Sequence, residues 1–282
     1  MGKIKTLFYA TYRGLYKKNL ISLYQRSCVM EKDRIHIVSC SFGKDSLATI
    51  LLALEHNEPL DRVVFAEVMF DHERGISGEI PEHIEWIYKT AIPRLEGMGL
   101  KVDVVRSDMD YVGLCKKVLK KGKNAGKMYG IQNSFPCYAN GYLKVSPIKG
   151  YYKGLSKDYD IVQYVGIAAD EPKRLSRLEG TNKVSLLAKY GYTEAMAMDK
   201  CWEYGLVSPC YSMSSRGGCW FCYNGGIERY RHIRRNHPEL WCELKNLYMS
   251  TASPYLMFDK TLNDVEEEID AKEWLESQPK LF

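Results

Sequence analysis

The stretch HIVSCSFGKDSLA, residues 36–48, begins as an apolar strand and breaks into the loop Ser41-Phe42-Gly43-Lys44-Asp45-Ser46. It then runs into the apolar sequence Leu47-Ala48-Thr49-Ile50-Leu51-Leu52. Glycine, lysine and serine at a strand-to-helix turn are the parts of a phosphate cradle, because backbone amides at a helix N-terminus point at an anion. The common P-loop is excluded by spacing: Gly43-Lys44 is followed by Asp45, and Val38 stands where that loop has its first glycine. A carboxylate at position 45 makes sense if a divalent cation bridges it to phosphates, or if Asp45 or Ser46 caps the helix.

Outward from this stretch, strands alternate with helices. Ile35–Cys40 reads as strand one, Asp45–Glu55 as a helix, Asp61–Val68 as strand two and Pro81–Gly97 as an amphipathic helix. Leu100–Arg106 and Ile161–Ile167 read as strands three and four. The alternation predicts an α/β fold with a doubly wound parallel sheet, whose ligands bind beyond the carboxyl ends of the strands. Before it, residues 1–33 read as helical, with Leu7, Tyr12, Leu15, Leu20, Leu23 and Tyr24 at helical spacing. After residue 180 strand signals stop, and residues 181–282 read as helices around a Cys/Gly-rich knot, ending in the acidic run DVEEEIDAKEWLES. The expected division is therefore 1–33, a nucleotide-binding domain over 34–180, and a helical subdomain over 181–282. Between strands three and four, KKVLKKGKNAGKMYG (116–130) carries six lysines and three glycines and reads as a mobile basic flap or a solvated loop.

With 45% hydrophobic and 27% charged residues, the chain has an ordinary globular composition, and its net charge of +5 is compatible with a nucleotide or nucleic-acid ligand. No secretory signal and no apolar stretch of spanning length is read, so a cytoplasmic protein without a membrane partner is expected. In a reducing compartment nine cysteines point to metal or redox chemistry wherever they cluster. Cys28, Cys40, Cys115 and Cys242 stand alone and read as packing residues.

The loop SFGKDS resembles the SGGKDS signature of the PP-loop ATP pyrophosphatases, with Phe42 in place of the first glycine. Two further segments are similar to the phosphoadenosine phosphosulfate (PAPS) reductase-like branch. VGIAADEPKRLSRLEG (165–180) is similar to its GIR-x-x-ES-x-R segment, and FPCYANGYLKVSPIKGYY (135–152) to its RWC-x-x-x-LK-x-x-P segment, with Cys137, Lys144 and Pro147 in matching places. The resemblance implies a HUP-like, adenine nucleotide alpha hydrolase-like fold. It implies ATP and Mg²⁺ bound by Ser41, Phe42, Gly43, Lys44, Asp45 and Ser46, with Gly166, Lys173, Arg174 and Arg177 facing the nucleotide. Lys44 and Asp45 would be catalytic. The chain lacks the terminal Cys-Gly-Leu-His type motif of thioredoxin-dependent reductases and the paired cysteines of the cluster-binding ones, which disfavours plain PAPS reduction.

The knot CWEYGLVSPCYSMSSRGGCWFCYNGG (201–226) holds Cys201, Cys210, Cys219 and Cys222. Four such thiolates suit tetrahedral zinc, or a [4Fe–4S] cluster. The layout resembles the sulfur-handling protein of DNA phosphorothioation systems, which implies a [4Fe–4S] cluster on Cys137, Cys201, Cys219 and Cys222. A local zinc set that includes Cys210 is the alternative. The following GIERYRHIRRNHPELW (226–241) reads either as a solvated basic face or as a cationic face beside the metal for a nucleic-acid backbone, with His237 a further candidate ligand. Together these readings predict an enzyme that cleaves ATP to AMP and pyrophosphate, adenylates an acceptor and transfers sulfur to it. The acceptor would be tRNA, DNA or a metabolite, and a sulfur donor protein is a possible partner. The alternatives are a PAPS- or APS-binding reductase-like protein, or a zinc-stabilised binding module without catalysis.

Overall fold

Strand β1, Asp33–Ser39, is the middle of a five-stranded sheet and is buried on both faces. It pairs in parallel with β2 (Arg62–Ala66), Val38 beside Val63, and with β6 (Tyr159–Tyr164), Ile35 beside Ile161. β5 (Lys101–Val105) flanks β2, and a two-residue strand β7 (Lys183–Val184) closes the other edge beside β6. A short antiparallel pair, β3 (Met69–Asp71) and β4 (Ile76–Ser77), follows β2. The computed structural model describes residues 32–214 and 217–278. The helical reading of residues 1–31, and Cys28, lie outside the described residues, while Asp33 belongs to β1.

Helices cover both sheet faces, as a doubly wound sheet requires. On one face Val38, Cys40, Val63 and Phe65 pack against α1 (Lys44–Glu55) and the helical stretch of α2 (Pro81–Trp86), a π-helical turn (Ile87–Ala91) and α3 (Ile92–Gly97). Residues 186–206, which include α7 (Leu186–Lys189) and α8 (Glu194–Glu203), contribute Leu186, Leu187, Ala197, Cys201 and Leu206 to this same core. This explains why α1 is buried nearly all round, from Ser46 to Ala53. On the other face Ile35, Ile37 and Val64 meet Tyr152 of α5 (Ser146–Leu155).

A second core lies beyond the strand ends. Phe70, Tyr111 of α4 (Tyr111–Lys116), Trp220 and Phe221 stack there, with Tyr111 and Phe221 ring centroids 3.8 Å apart. Around them pack α9 (Gly226–Asn236), α10 (Pro238–Ser250) and α11 (Leu262–Ser277). A capping box between Thr261 and Asp264 starts α11, the acidic helix expected at the chain's end. That helix lies against α9: Arg234 pairs with Asp270 (2.7 Å) and Glu273 (2.6 Å), and Arg231 with Glu276 (2.5 Å). Arg229 is buried, its guanidinium donating to the Cys219 carbonyl (3.1 Å) and to Ser214 Oγ (2.7 Å). The arginines read as an open cationic face are thus largely engaged within the protein. Residues 116–130 are a closed hairpin-like loop, with Leu119 N–H on the Lys127 carbonyl (2.8 Å) and Tyr129 N–H on the Lys117 carbonyl (2.9 Å).

Candidate active site

The turn from β1 into α1 is shaped by three contacts. The Phe42 N–H donates to Cys40 Sγ (3.2 Å), Ser46 Oγ donates to the Gly43 carbonyl (2.9 Å), and the Phe42 ring meets Phe65 edge-on at 5.2 Å. Phe42 has φ +56°, a conformation costing roughly 1–2 kcal/mol for a residue with a Cβ. Its ring is fully buried, and that burial offsets the strain. The backbone here would suit glycine, the residue of the signature this loop resembles. Gly43, with no side-chain cap, precedes α1, so neither Asp45 nor Ser46 is the cap.

Lys44 Nζ lies 2.8 Å from Asp45 Oδ1 and 2.8 Å from Glu194 Oε2. Burial works against the Lys44 ammonium, but the two carboxylates outweigh it and raise its pKa. Burial also raises the Asp45 pKa despite Lys44, with the charges of Glu194 and Glu171 adding to the rise. Sequence reading missed Glu194: it opens α8, capped by Thr193, with no motif around it.

The loop after β6 closes against this turn. An ideal Cβ at Gly166 would lie 2.7 Å from the Asp45 carbonyl carbon and 2.8 Å from Ser46 N, so only glycine fits. Lys173 and Arg174 of α6 (Pro172–Leu175), and Arg177 just beyond, are exposed, and Arg174 pairs with Glu171.

From the Cys-rich segment, Tyr211 Oη accepts the Lys44 N–H at 2.8 Å. His83 of α2 is buried, with Nε2 3.2 Å from the Ser41 carbonyl and Nδ1 2.7 Å from Ser208 Oγ. Burial lowers the His83 pKa, which favours the neutral ring: Nε2–H donates to Ser41 and Nδ1 accepts from Ser208. Neither Tyr211 nor His83 carries a sequence signal, because both act through tertiary contact.

Cys137, Cys219 and Cys222 line one cavity of about 530 Å³ with Phe135, Lys144 and Phe221. The loop carrying Cys219 is strapped to residues 77–80: Glu79 and Cys219 form an antiparallel bridge, and Trp220 N–H donates to the Gly78 carbonyl at 3.0 Å. Gly78 is required there, since a Cβ would meet Val68 at 2.9 Å and Phe221 at 3.0 Å. Burial raises the Cys219 thiol pKa, Lys144 opposes this, and the charges of Glu79, Cys222 and Cys137 add to the rise. Lys144 pairs with the buried Glu79 at 2.9 Å. The Asn140 N–H points at Cys137 Sγ, 3.4 Å away.

The other two candidate ligands lie elsewhere. Cys201 is on the inner side of α8, buried behind α1, and its thiol donates to the Lys44 carbonyl at 3.3 Å. Burial pushes its pKa up to about 12, with Cys40 and Asp45 contributing. The helical period turned Cys201 to the sheet core rather than toward the C-x-x-C pair. Cys210 is fully buried, with its Sγ 3.1 Å from Ser208 Oγ. The three cavity cysteines are soft donors with a lysine as counter-charge, a set that fits zinc or an iron–sulfur cluster.

No protein-family model matches the chain, and no curated protein matches it. Among solved structures it is similar to the U34-tRNA thiolase NcsA from Methanococcus maripaludis with its [4Fe-4S] cluster. The identity is 13%, the alignment covers 91% of this chain and 76% of that chain, and the TM-score is 0.37. At that score the likeness adds no argument about the site. No helix among the described residues is long and apolar enough to cross a membrane.

Proposed function

We propose that this chain activates an acceptor with ATP at Ser41–Ser46 and hands it sulfur at a metal centre held by Cys137, Cys219 and Cys222. The observation that carries the reading is the presence of Cys137, from the segment before α5, in the same cavity as the distal C-x-x-C pair. Tyr211 and His83 tie the neighbouring Cys-rich segment to the nucleotide loop. A closed zinc staple would draw its ligands from the knot alone.

In this reading the acceptor oxygen attacks the α-phosphorus and pyrophosphate leaves. The Lys44 ammonium and the amides of Asp45 and Ser46 in the first turn of α1 neutralise charge on the departing group. Asp45 and Glu194, both on Lys44 Nζ, are the residues that would hold Mg²⁺. A [4Fe–4S] cluster bound by three cysteines would supply thiophilic iron with one position open to a sulfur ligand. Lys144 offsets the thiolate charge, and Glu79 holds Lys144 in place.

Next to the cavity, Phe135, Tyr138 and Tyr142 are exposed, and Lys117 Nζ sits 4.5 Å from the centre of the Tyr142 ring. Aromatic rings interleaved with lysines suit unstacked bases, which favours a nucleic-acid acceptor over a small metabolite. The test is pyrophosphate release by anaerobically purified protein with tRNA or single-stranded DNA, beside its metal content. Release that depends on acceptor and is abolished in Lys44→Ala supports the reading. Absence of release with bound nucleotide, or stoichiometric zinc without iron, removes it.

A further inference from the structure

We propose that Glu82, His232 and His237 bind one divalent transition-metal ion of the zinc class, at a site separate from the cysteine cavity and independent of the function proposed above. Glu82 stands in the first turn of α2, His232 on α9, and His237 at the junction of α9 and α10. Their ligand atoms lie within 4.8 Å of one another, and all three side chains are partly buried. Both Nε2 atoms converge on a single oxygen: His232 Nε2 is 2.8 Å and His237 Nε2 2.9 Å from Glu82 Oε1.

The other carboxylate oxygen is contacted by neither histidine. Among the described residues, Glu82 Oε2 is buried and hydrogen-bonded to no other residue. Crowding two imidazoles on one oxygen while leaving its twin buried and unused is a poor way to satisfy three polar side chains. A cation at the focus of the three resolves it, because each Nε2 then gives a lone pair and the carboxylate gives charge. Two histidines and one carboxylate are a zinc-type donor set with room for water.

The outer nitrogens are also provided for. His232 Nδ1 is 3.0 Å from the Asn236 side-chain amide, which on turning offers its oxygen, and His237 Nδ1 is 3.7 Å from Glu239 Oε1. Such partners fix a metal-binding imidazole by accepting its Nδ1–H. His232 also lines a cavity of about 340 Å³ with Arg231, Arg235 and Glu228, which gives water or a small anion access to the remaining positions. The next residue after Glu82 is His83, which holds the Ser41 carbonyl. The ion would therefore clasp the helix supporting the nucleotide loop to the C-terminal helices.

The test uses the full chain, stripped of metal and given one equivalent of Cd²⁺ to occupy the thiolates before titration with Co²⁺. One further equivalent of Co²⁺ is expected, with ligand-field bands but no thiolate charge-transfer band. Its affinity should fall roughly 10-fold or more in Glu82→Gln and in His237→Ala, as loss of a ligand costs at least what loss of an outer-shell partner does. Cys219→Ser should leave it unchanged. Circular dichroism checks that each variant is folded, and the wild-type titration decides alone if they are not. No second equivalent in the wild type, a thiolate band on that equivalent, or unchanged affinity in both folded variants overturns the proposal.

Discussion

Tyr211 Oη accepts the backbone N–H of Lys44 at 2.8 Å, so the Cys-rich segment closes the first turn of α1. Burial pushes the Tyr211 pKa up to about 12, and the hydroxyl is protonated at any working pH. Tyr211→Phe removes one part-buried hydrogen bond, worth about 1 kcal/mol, and should lower Tm by roughly 2–4 °C. The raised pKa also sets a sign. The unfolded tyrosine ionises near its ordinary value of about 10 while the folded one does not, so folding stability falls as pH rises between about 10 and 12. Tyr88 and Tyr151, also pushed up to about 12 by burial and by Glu67 and Asp103 respectively, steepen that loss. Alkaline melts of the wild type against Tyr88→Phe and Tyr151→Phe should show a shallower slope in the variants.

Gly166→Ala would drive a methyl into the Asp45 and Ser46 backbone, where neither neighbour is a flexible side chain. Overpacking of this kind costs about 1–3 kcal/mol. It displaces the very amides that would meet a phosphate, so ATP affinity measured by calorimetry should drop more than stability does. Equal ATP affinity in a folded Gly166→Ala would remove the post-β6 loop from the nucleotide site.

Phe42→Gly sets two effects against each other. Relief of the positive φ returns about 1–2 kcal/mol, whereas deleting a buried phenyl ring costs about 3–5 kcal/mol. Packing wins, and denaturant melts should show a net loss of about 1–4 kcal/mol. A more stable glycine variant would mean that the Phe42–Phe65 contact contributes little.

Cysteine substitutions should divide by cavity and not by spacing in the chain. Cys137→Ser, Cys219→Ser and Cys222→Ser should each lose most of the metal counted in anaerobically purified protein, while Cys201→Ser should keep it. Retention in Cys219→Ser, or loss in a folded Cys201→Ser, would contradict the three-cysteine assignment.

The turn from β1 into α1 was legible because its signals are local: an apolar strand, a Gly-Lys step and an apolar helix within one short stretch. The C-x-x-C pair and Cys137 were legible as residue types in recognisable surroundings. Cys201 looked equivalent to them by spacing, but the face of α8 on which it falls depends on what that helix packs against. Glu194, His83, Tyr211 and Glu79, the partner of Lys144, leave no trace in sequence, since each acts on a partner far along the chain. Strand β7 was missed because two residues carry no periodicity.

The acidic helix α11 behaves toward α9 as an intramolecular polyanion. Asp270, Glu273 and Glu276 occupy Arg231 and Arg234, so those guanidiniums hold few exchangeable counterions. The hairpin-like loop, by contrast, exposes Lys116, Lys120, Lys121, Lys123 and Lys127 together. A nucleic acid that docks on that loop would release salt from its lysines, and the slope of binding against ionic strength would count those lysines instead of the formal charge of the chain.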